Sequence, residues 1–191
     1  MKKYELTEET FTVFGKTLYR IRAVRDFGSV KTGEFGGYIE KEENLSHFGD
    51  AWVYGNAKVY GNAKVYGNAK VSGDAKVSGN AKVYGNAWVY GNAKVYGEAR
   101  VSGNAWVYGN AEVFNTRHFF VQGPIGSRDG YVTFYRTKDD TVEVRCGCFS
   151  GSLQEFVNQV EETHGGSRYE KEYKLAAELA KVCIRLEGES R

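Results

Sequence analysis

The sequence predicts a mainly β protein: a triangular parallel β-helix of hexapeptide repeats, expected to be left-handed, with an N-terminal cap and a small C-terminal α+β domain. Three observations predict this fold. A six-residue pattern recurs eleven times between Gly49 and Phe114 without insertion or deletion. The three tryptophans are separated by multiples of 18 residues. After Asn115 the pattern gives way to alternating segments and two amphipathic helices.

Each repeat reads Gly-(Asn/Asp/Glu)-Ala-x-Val-(Tyr/Ser/Phe). Alanine and valine are two residues apart, so in an extended segment both point to one side and the residue between them points to the other. Glycine and Asn/Asp tolerate positive φ and can form the corner. A fixed period indicates a solenoid, in which each unit buries its apolar face against its neighbours. The predicted core is therefore the alanines from Ala51 to Ala111 and the valines from Val53 to Val113.

Three six-residue sides close a coil of 18 residues, and the outward aromatic residues are consistent with that length. The tryptophans differ by 36 and 18 positions, so they fall in one column of the prism. Soluble monomers seldom leave an apolar stripe uncovered, and aromatic residues are enriched at interface centres. We predict self-association through this column, as a trimer first and a dimer second; the alternative is cover by the C-terminal helices of the same chain. The column consists of Trp52, Trp88, Trp106, Tyr54, Tyr90 and Tyr108.

Three regions are predicted: an N-terminal strand and cap at 1–32, the prism at 33–115, and a C-terminal module at 116–191. Ile39 and Leu45 continue the alanine register, and Gly37 and Gly49 continue the glycine register, so degenerate coils are expected ahead of the regular repeats. The preceding segment KTLYRIRAVRDF alternates like a strand. It is expected to cap the open edge of the first coil, which would otherwise template aggregation.

The C-terminal module is expected to contain strands and two helices. Ser152 and Glu155 form a capping box for a first helix that runs to His164, and Ser167 with Glu170 forms another for the second helix. Three strands are expected, at 118–122, 131–136 and 141–146, with a hairpin between the last two.

Composition excludes several classes of protein. A content of 24 glycines with a single proline excludes collagen, and 15% aromatic residues exclude ordinary disorder. The net charge of +2 provides no strong field for nucleic acid or anionic lipid, so neither partner is expected. Three cysteines make no disulfide framework. No apolar leader opens the chain and no run of about 18 apolar residues could span a membrane, so a cytoplasmic protein is expected.

The residues offer little chemistry. The repeat contains no histidine. We interpret His47 as a packed or capping residue in preference to a catalytic base. Cys146 and Cys148 could in principle join His164 as metal ligands. The two cysteines are interpreted instead as small residues at a strand end, since common zinc sites use other spacings. No catalytic residue, metal site or cofactor is predicted.

Two sets of residues could bind an anion. In the segment 123–130, glycines would let backbone amides converge while Ser127 and Arg128 hold a phosphate or carboxylate. A tight strand connection is the favoured alternative there. Basic outward residues could form a polyanion-binding face, although lysines also keep a repetitive β surface soluble and block sheet growth. The basic positions are Lys58, Lys76, Lys94, Lys64, Lys82 and Arg100.

The stretches Lys31-Thr-Gly-Glu-Phe-Gly-Gly-Tyr-Ile-Glu40 and Glu43-Asn-Leu-Ser-His-Phe-Gly-Asp50, followed by the repeats, resemble the YdcK-like hexapeptide-repeat proteins of enterobacteria and related proteins of phages and prophages. The GPIGSRDGYVTFY and CGCF-to-ETHG stretches resemble a C-terminal module of the phage versions. Prisms with such repeats are left-handed in hexapeptide acyltransferases and right-handed in bactofilin-type filaments. The family is commonly labelled a putative transferase, but a fold does not establish an activity.

Three functions follow as hypotheses. The first is a non-catalytic binding or scaffold protein, which the resemblance makes a phage accessory protein acting on a host target in the host cytoplasm, such as an inhibitor of host defence. The second is a hexapeptide acyltransferase using His47 or His118 across a trimer interface. The third is a polyanion-binding module. The expected partners are a second copy of the chain and an unidentified host protein or small anionic ligand.

Overall fold

A computed structural model describes residues 2–186; Met1 and the last five residues of the predicted C-terminal module lie outside the described residues. The chain begins with β1 (Tyr4–Val13) and β2 (Lys16–Ala23), which form a hairpin, and β3 (Phe35–Ile39), which pairs antiparallel with β2. β2 lies within the segment predicted to be a strand. β1 lies outside the predicted strands because its Glu- and Thr-rich sequence has little apolar alternation.

One short strand per repeat follows, made of the outward residue and the valine. The strands are β4 (Trp52–Val53), β5 (Lys58–Val59), β6 (Lys64–Val65), β7 (Lys70–Val71), β8 (Lys76–Val77), β9 (Lys82–Val83), β10 (Trp88–Val89), β11 (Lys94–Val95), β12 (Arg100–Val101), β13 (Trp106–Val107) and β14 (Glu112–Val113). Strands three repeats apart pair in parallel, giving the columns β4-β7-β10-β13, β6-β9-β12 and β5-β8-β11-β14. Paired residues are 18 positions apart, as in Trp88 with Trp106. The parallel β-solenoid and its 18-residue coil are thus confirmed.

The core of the solenoid is the predicted one. Each alanine from Ala51 to Ala111 and each valine from Val53 to Val113 is buried. The glycine that opens each repeat has φ between +58° and +73°. Such angles cost a side chain with a Cβ atom about 1 kcal/mol or more, so the glycine is what lets the chain turn after so short a strand.

The first coil departs from the predicted register. Ile39 pairs with Val59 and Leu45 with Val65, so both occupy valine positions and not the predicted alanine positions. Gly37 lies within β3 and not at a corner. Paired residues of the first coil are 20 positions apart, whereas those of the regular coils are 18 apart. Two extra residues between Leu45 and Gly49 account for this shift in register.

Side chains satisfy the open end of the first coil. Backbone N–H groups of one coil donate to carbonyls of the next, so the first coil is left with unpaired carbonyl groups. Lys3 Nζ donates to Ala51 O at 2.6 Å, and the Tyr4 hydroxyl donates to Leu45 O at 2.7 Å. The N-terminal segment therefore caps the solenoid by hydrogen bonding as well as by covering it.

The C-terminal module is an antiparallel sheet with two helices on one face. Its strands are β15 (Phe119–Ile125), β16 (Gly130–Arg136), β17 (Val142–Cys146) and β18 (Phe149–Ser152), followed by α1 (Leu153–His164) and α2 (Arg168–Cys183). β18 was not expected, because its Phe-Ser-Gly-Ser sequence is short and runs directly into the helix cap. Ser152 and Glu155 form the predicted capping box. At α2, Ser167 caps as predicted, but the Glu170 carboxylate accepts from Gly166 N.

The module lies over the last coil of the solenoid. Val132, Phe134 and Val144 pack against the helices, whereas Tyr135, on the opposite face of the sheet, belongs to the solenoid core. Thr133 Oγ1 accepts from the backbone N–H of Trp106 at 3.0 Å. The N–H groups of the last coil have no following coil to donate to, and the module supplies an acceptor for one of them. No helix among residues 2–186 is long and apolar enough to cross a membrane.

Candidate functional site

A cleft of about 820 Å³ opens where the module meets the last coil, and we call it the junction cleft. The turn between β15 and β16 and the turn between β17 and β18 form one end, while α1 and α2 supply apolar walls. Trp106 and Asn104 of the last coil contribute from the solenoid side.

Both predicted anion-binding residues, Ser127 and Arg128, line the junction cleft. The Arg128 guanidinium has no ion-pair or hydrogen-bond partner among the described residues. Gly126 N, which could have contributed to a nest of backbone amides, donates to the Glu172 carboxylate at 2.7 Å. The turn therefore offers a free arginine and a hydroxyl in place of the expected converging amides.

A second arginine, Arg145, reaches the junction cleft from β17 and was not predicted. Its guanidinium lies 5.6 Å from the ring centre of Tyr108, and its Nη1 donates weakly to Phe149 O at 3.4 Å. No Asp or Glu among the described residues lines this cleft. The only sequence signal for Arg145 is its alternation with the buried Val144, which places it on the face of the sheet opposite the helices.

Two free cysteines, Cys146 and Cys148, line the junction cleft. Burial raises the pKa of the Cys146 thiol, which keeps it protonated. The Tyr173 hydroxyl contacts this thiol, and burial raises the pKa of Tyr173 to about 12. His164 stacks against the Tyr173 ring at 5.6 Å. Within the part of the chain that the structure describes, no cluster of three or more His, Cys, Asp or Glu side chains is arranged to hold a metal ion.

The aromatic column is shorter than predicted. Trp52 is 0% exposed, because Tyr4 and Phe27 of the N-terminal segment pack on its ring at 6.0 and 5.2 Å. The expectation that Trp52 lies in an exposed self-association stripe is therefore wrong. The alternative cover, the C-terminal helices, is also not what buries it. Trp88 is half-buried and Trp106 is 37% exposed.

The remaining tryptophans line a second recess, which we call the tryptophan groove. It has a volume of about 380 Å³ and shares Trp106 with the junction cleft. Trp88 and Trp106 contact each other edge to face, with ring centres 5.8 Å apart. Tyr90 and Tyr108 lie beside them, 4.5 Å apart, and Tyr54 is half-buried at the covered end of the column. The groove is lined by Gly28, Ser29, Asp50, Asn68, Lys70, Asn86, Trp88 and Trp106.

The basic residues lie in two separate columns and do not form one face. Lys58, Lys76 and Lys94 belong to β5-β8-β11, whereas the other three belong to β6-β9-β12. Lys58 is buried against the Phe11 ring at 4.3 Å, so its expected place on a basic face is wrong. Lys94 is 3.5 Å from Glu112. The charge available to a polyanion is thus smaller and more divided than expected. The second column consists of Lys64, Lys82 and Arg100.

The two histidines considered as bases are both packed. His47 stacks on Tyr4 at 4.2 Å and accepts from Lys3 N through Nδ1. His118 is buried against Phe114, 4.2 Å between ring centres. Burial lowers the pKa of each imidazole, so both are held mainly neutral. Neither residue lines the junction cleft or the tryptophan groove.

Fold and site together define a β-solenoid repeat protein with a ligand-sized cleft at one end of the coils. Residues 75–91 and 93–109 match the family model described as YdcK Beta solenoid repeat. The match and the parallel coils support a YdcK-like repeat protein over this part of the chain. Both matched segments lie inside the solenoid, so the origin of the C-terminal module and the association with phages stay predictions. No curated protein matches the chain.

Proposed function

We propose that this protein is a non-catalytic binding protein, with the solenoid as a rigid frame and the junction cleft as its ligand site. One observation carries the proposal: the cleft combines aromatic and aliphatic walls with two arginines and no carboxylate among its described lining residues. Apolar pockets with a few converging polar groups are the usual form of small-molecule sites. An arginine without an internal partner offers its N–H donors to a carboxylate, sulfonate or phosphate.

The state of the histidines favours binding over acyl transfer. A general base must reach the proton that it abstracts, which requires a place in the substrate site. His47 lies at the N-terminal end of the solenoid and His118 at the other end, each against an aromatic ring. Neither histidine lines the junction cleft or the tryptophan groove, so neither recess supports the acyltransferase hypothesis for His47 or His118.

The resemblance to phage-associated proteins extends the proposal. The protein would be an accessory protein that acts on a host target, such as a component of host defence, and the junction cleft would be the surface that engages the target or a small anionic ligand. Self-association, as a trimer first and a dimer second, belongs to the same proposal.

Binding of anilinonaphthalene sulfonate tests the site, because this dye joins an apolar ring system to one negative charge. We expect saturable binding at one dye per chain, seen as a rise in dye fluorescence. Arg128→Glu should weaken binding by roughly tenfold or more, since it replaces the free cation of the cleft with an anion. Arg100→Glu is the matched control, because Arg100 is an exposed arginine on a solenoid column remote from the cleft.

Equal binding by the wild type, Arg128→Glu and Arg100→Glu would contradict the proposal. Circular dichroism on each variant confirms that the fold is intact, because the dye also binds partly unfolded chains.

A further inference from the structure

We propose that the junction cleft and the tryptophan groove form one continuous site for an oligosaccharide that carries a carboxylate group. The inference rests on the proposed binding function and names its ligand class. Trp106 lines both recesses, so a single extended ligand can occupy them together. Side chains from Asp50 to Asn104 mark four successive coils along this surface, a span of roughly 14 Å at the usual strand spacing of about 4.8 Å.

The aromatic side chains offer ring surface to a ligand. Trp88 Nε1 already donates to Ser72 Oγ at 3.0 Å, so this indole has no polar group left to satisfy. Trp106 follows one coil later and is 37% exposed. The C–H faces of a pyranose ring are apolar and pack on aromatic rings in the way other apolar groups do. Two indoles one coil apart are therefore suited to successive sugar rings.

A row of amides runs beside the tryptophans. Asn68 Nδ2 donates to Asn86 Oδ1 at 3.2 Å, and Asn86 Nδ2 donates to Asn104 Oδ1 at 3.1 Å. Each primary amide has two donor hydrogens and two acceptor lone pairs. Asn86, in the middle of the row, therefore keeps one N–H donor and one acceptor lone pair for a ligand. Sugar hydroxyls both donate and accept, which matches this alternation of free donors and acceptors.

The distribution of charge selects the acidic class of sugar. In the tryptophan groove, Lys70 and Asp50 carry opposite charges, and Lys70 lies over the Trp88 ring at 6.0 Å. In the junction cleft, Arg128 and Arg145 face no lining carboxylate. The matching ligand is neutral along most of its length and anionic at one end. A nucleic acid fits poorly, because its phosphates would have to pass Asp50 with few cations to neutralise them.

Titration calorimetry with 3′-sialyllactose, a trisaccharide with a single carboxylate on its terminal sugar, tests the inference, with maltotriose as the neutral sugar and a short oligothymidylate as the polyanion. We expect the acidic trisaccharide to bind more tightly than the other two. Trp106→Ala should weaken it roughly tenfold, and Arg128→Gln should reduce its affinity to that of maltotriose. Tyr84→Ala is the matched control, because Tyr84 stacks on Tyr66 at 4.9 Å in a different column.

Binding of maltotriose as tight as that of the acidic trisaccharide would overturn the inference. Failure of the acidic trisaccharide to bind, or equal losses in Trp106→Ala and Tyr84→Ala, would overturn the inference. Tighter binding of oligothymidylate would also overturn it. If the trisaccharide fails while anilinonaphthalene sulfonate still binds in an Arg128-dependent manner, the ligand class is wrong and the binding function stands. Trp88→Phe, which keeps a ring at a half-buried position, replaces Trp106→Ala if thermal unfolding shows that the latter is not folded.

Discussion

Lys3 shows how one residue closes a solenoid. Its side chain is buried, and its Nζ donates to Gly49 O at 3.2 Å and to Ala51 O at 2.6 Å, carbonyls that lack a preceding coil. The ammonium also lies 4.8 Å from the Phe27 ring centre. Burial lowers the pKa of Lys3 to about 8, although the nearby Asp50 carboxylate opposes the shift. The cap therefore works with a lysine that loses its proton more readily than usual.

This shift predicts a pH dependence of stability. Above pH 8 the folded Lys3 loses its proton while the unfolded one keeps it up to its ordinary pKa of 10.5, so the unfolded state binds more protons. Lys3 should then contribute a rise in the free energy of unfolding between about pH 8 and pH 10, measured as the difference between the wild type and Lys3→Met. Urea unfolding across this range checks it, and Lys3→Met should lack the rise whatever its absolute stability. A rise of equal slope in Lys3→Met would assign the effect to another group.

At the scale of the elements, the repeat depends on a corner glycine and on the coil that stacks above it. Gly79 and Gly103 lie in the same local sequence, Val-Ser-Gly-Asn-Ala, with φ of +66° and +67°. A Cβ atom at Gly79 would lie 2.9 Å from Gly97 N of the following coil, whereas one at Gly103 would meet no atom within 4 Å. The two positions separate backbone strain from stacking.

Gly79→Ala should therefore destabilise the protein more than Gly103→Ala. Both variants carry the cost of positive φ, roughly 1 kcal/mol, and only the first must also displace the backbone of the next coil. Urea unfolding of the two variants beside the wild type measures the difference. Equal losses would mean that the coils can separate at the corner without cost.

At the scale of the whole molecule, two apolar surfaces are candidates for the predicted self-association. The tryptophan column has lost Trp52 to the N-terminal segment, which reduces the stripe that predicted an interface there. On α2, Leu175, Leu179 and Val182 follow one another at helical spacing and are 70%, 46% and 81% exposed. Exposed apolar patches of this kind mark interaction sites.

If the chain self-associates, Leu175→Lys with Val182→Lys should lower the oligomer mass more than Trp88→Lys with Trp106→Lys. The reason is that the tryptophans line a recess, while the α2 residues protrude from a helix face. Light scattering on the wild type and the two double variants measures this. A wild-type mass near 21.4 kDa would contradict self-association through either surface.

Local pattern determined the solenoid. The glycine, alanine and valine of each repeat act through their nearest neighbours, so their positions predicted the 18-residue coil, the buried core and the stacked columns. Capping residues such as Ser152 and Ser167 were equally predictable, because a helix cap is a contact between residues close in sequence. The two extra residues that shift the register of the first coil were not predictable, because no short sequence pattern marks them.

Tertiary structure alone decided the candidate site. Ser127 and Arg128 could be proposed as candidate anion-binding residues beside the favoured alternative of a tight strand connection. Their meeting with Arg145, Trp106 and Asn104 depends on how the C-terminal sheet lies across the last coil. The burial of Trp52 likewise depends on Tyr4 and Phe27, which are remote in sequence. A repeat specifies its own stacking through contacts at a fixed spacing, whereas a cleft between two regions is set by long-range packing that no period in the sequence records.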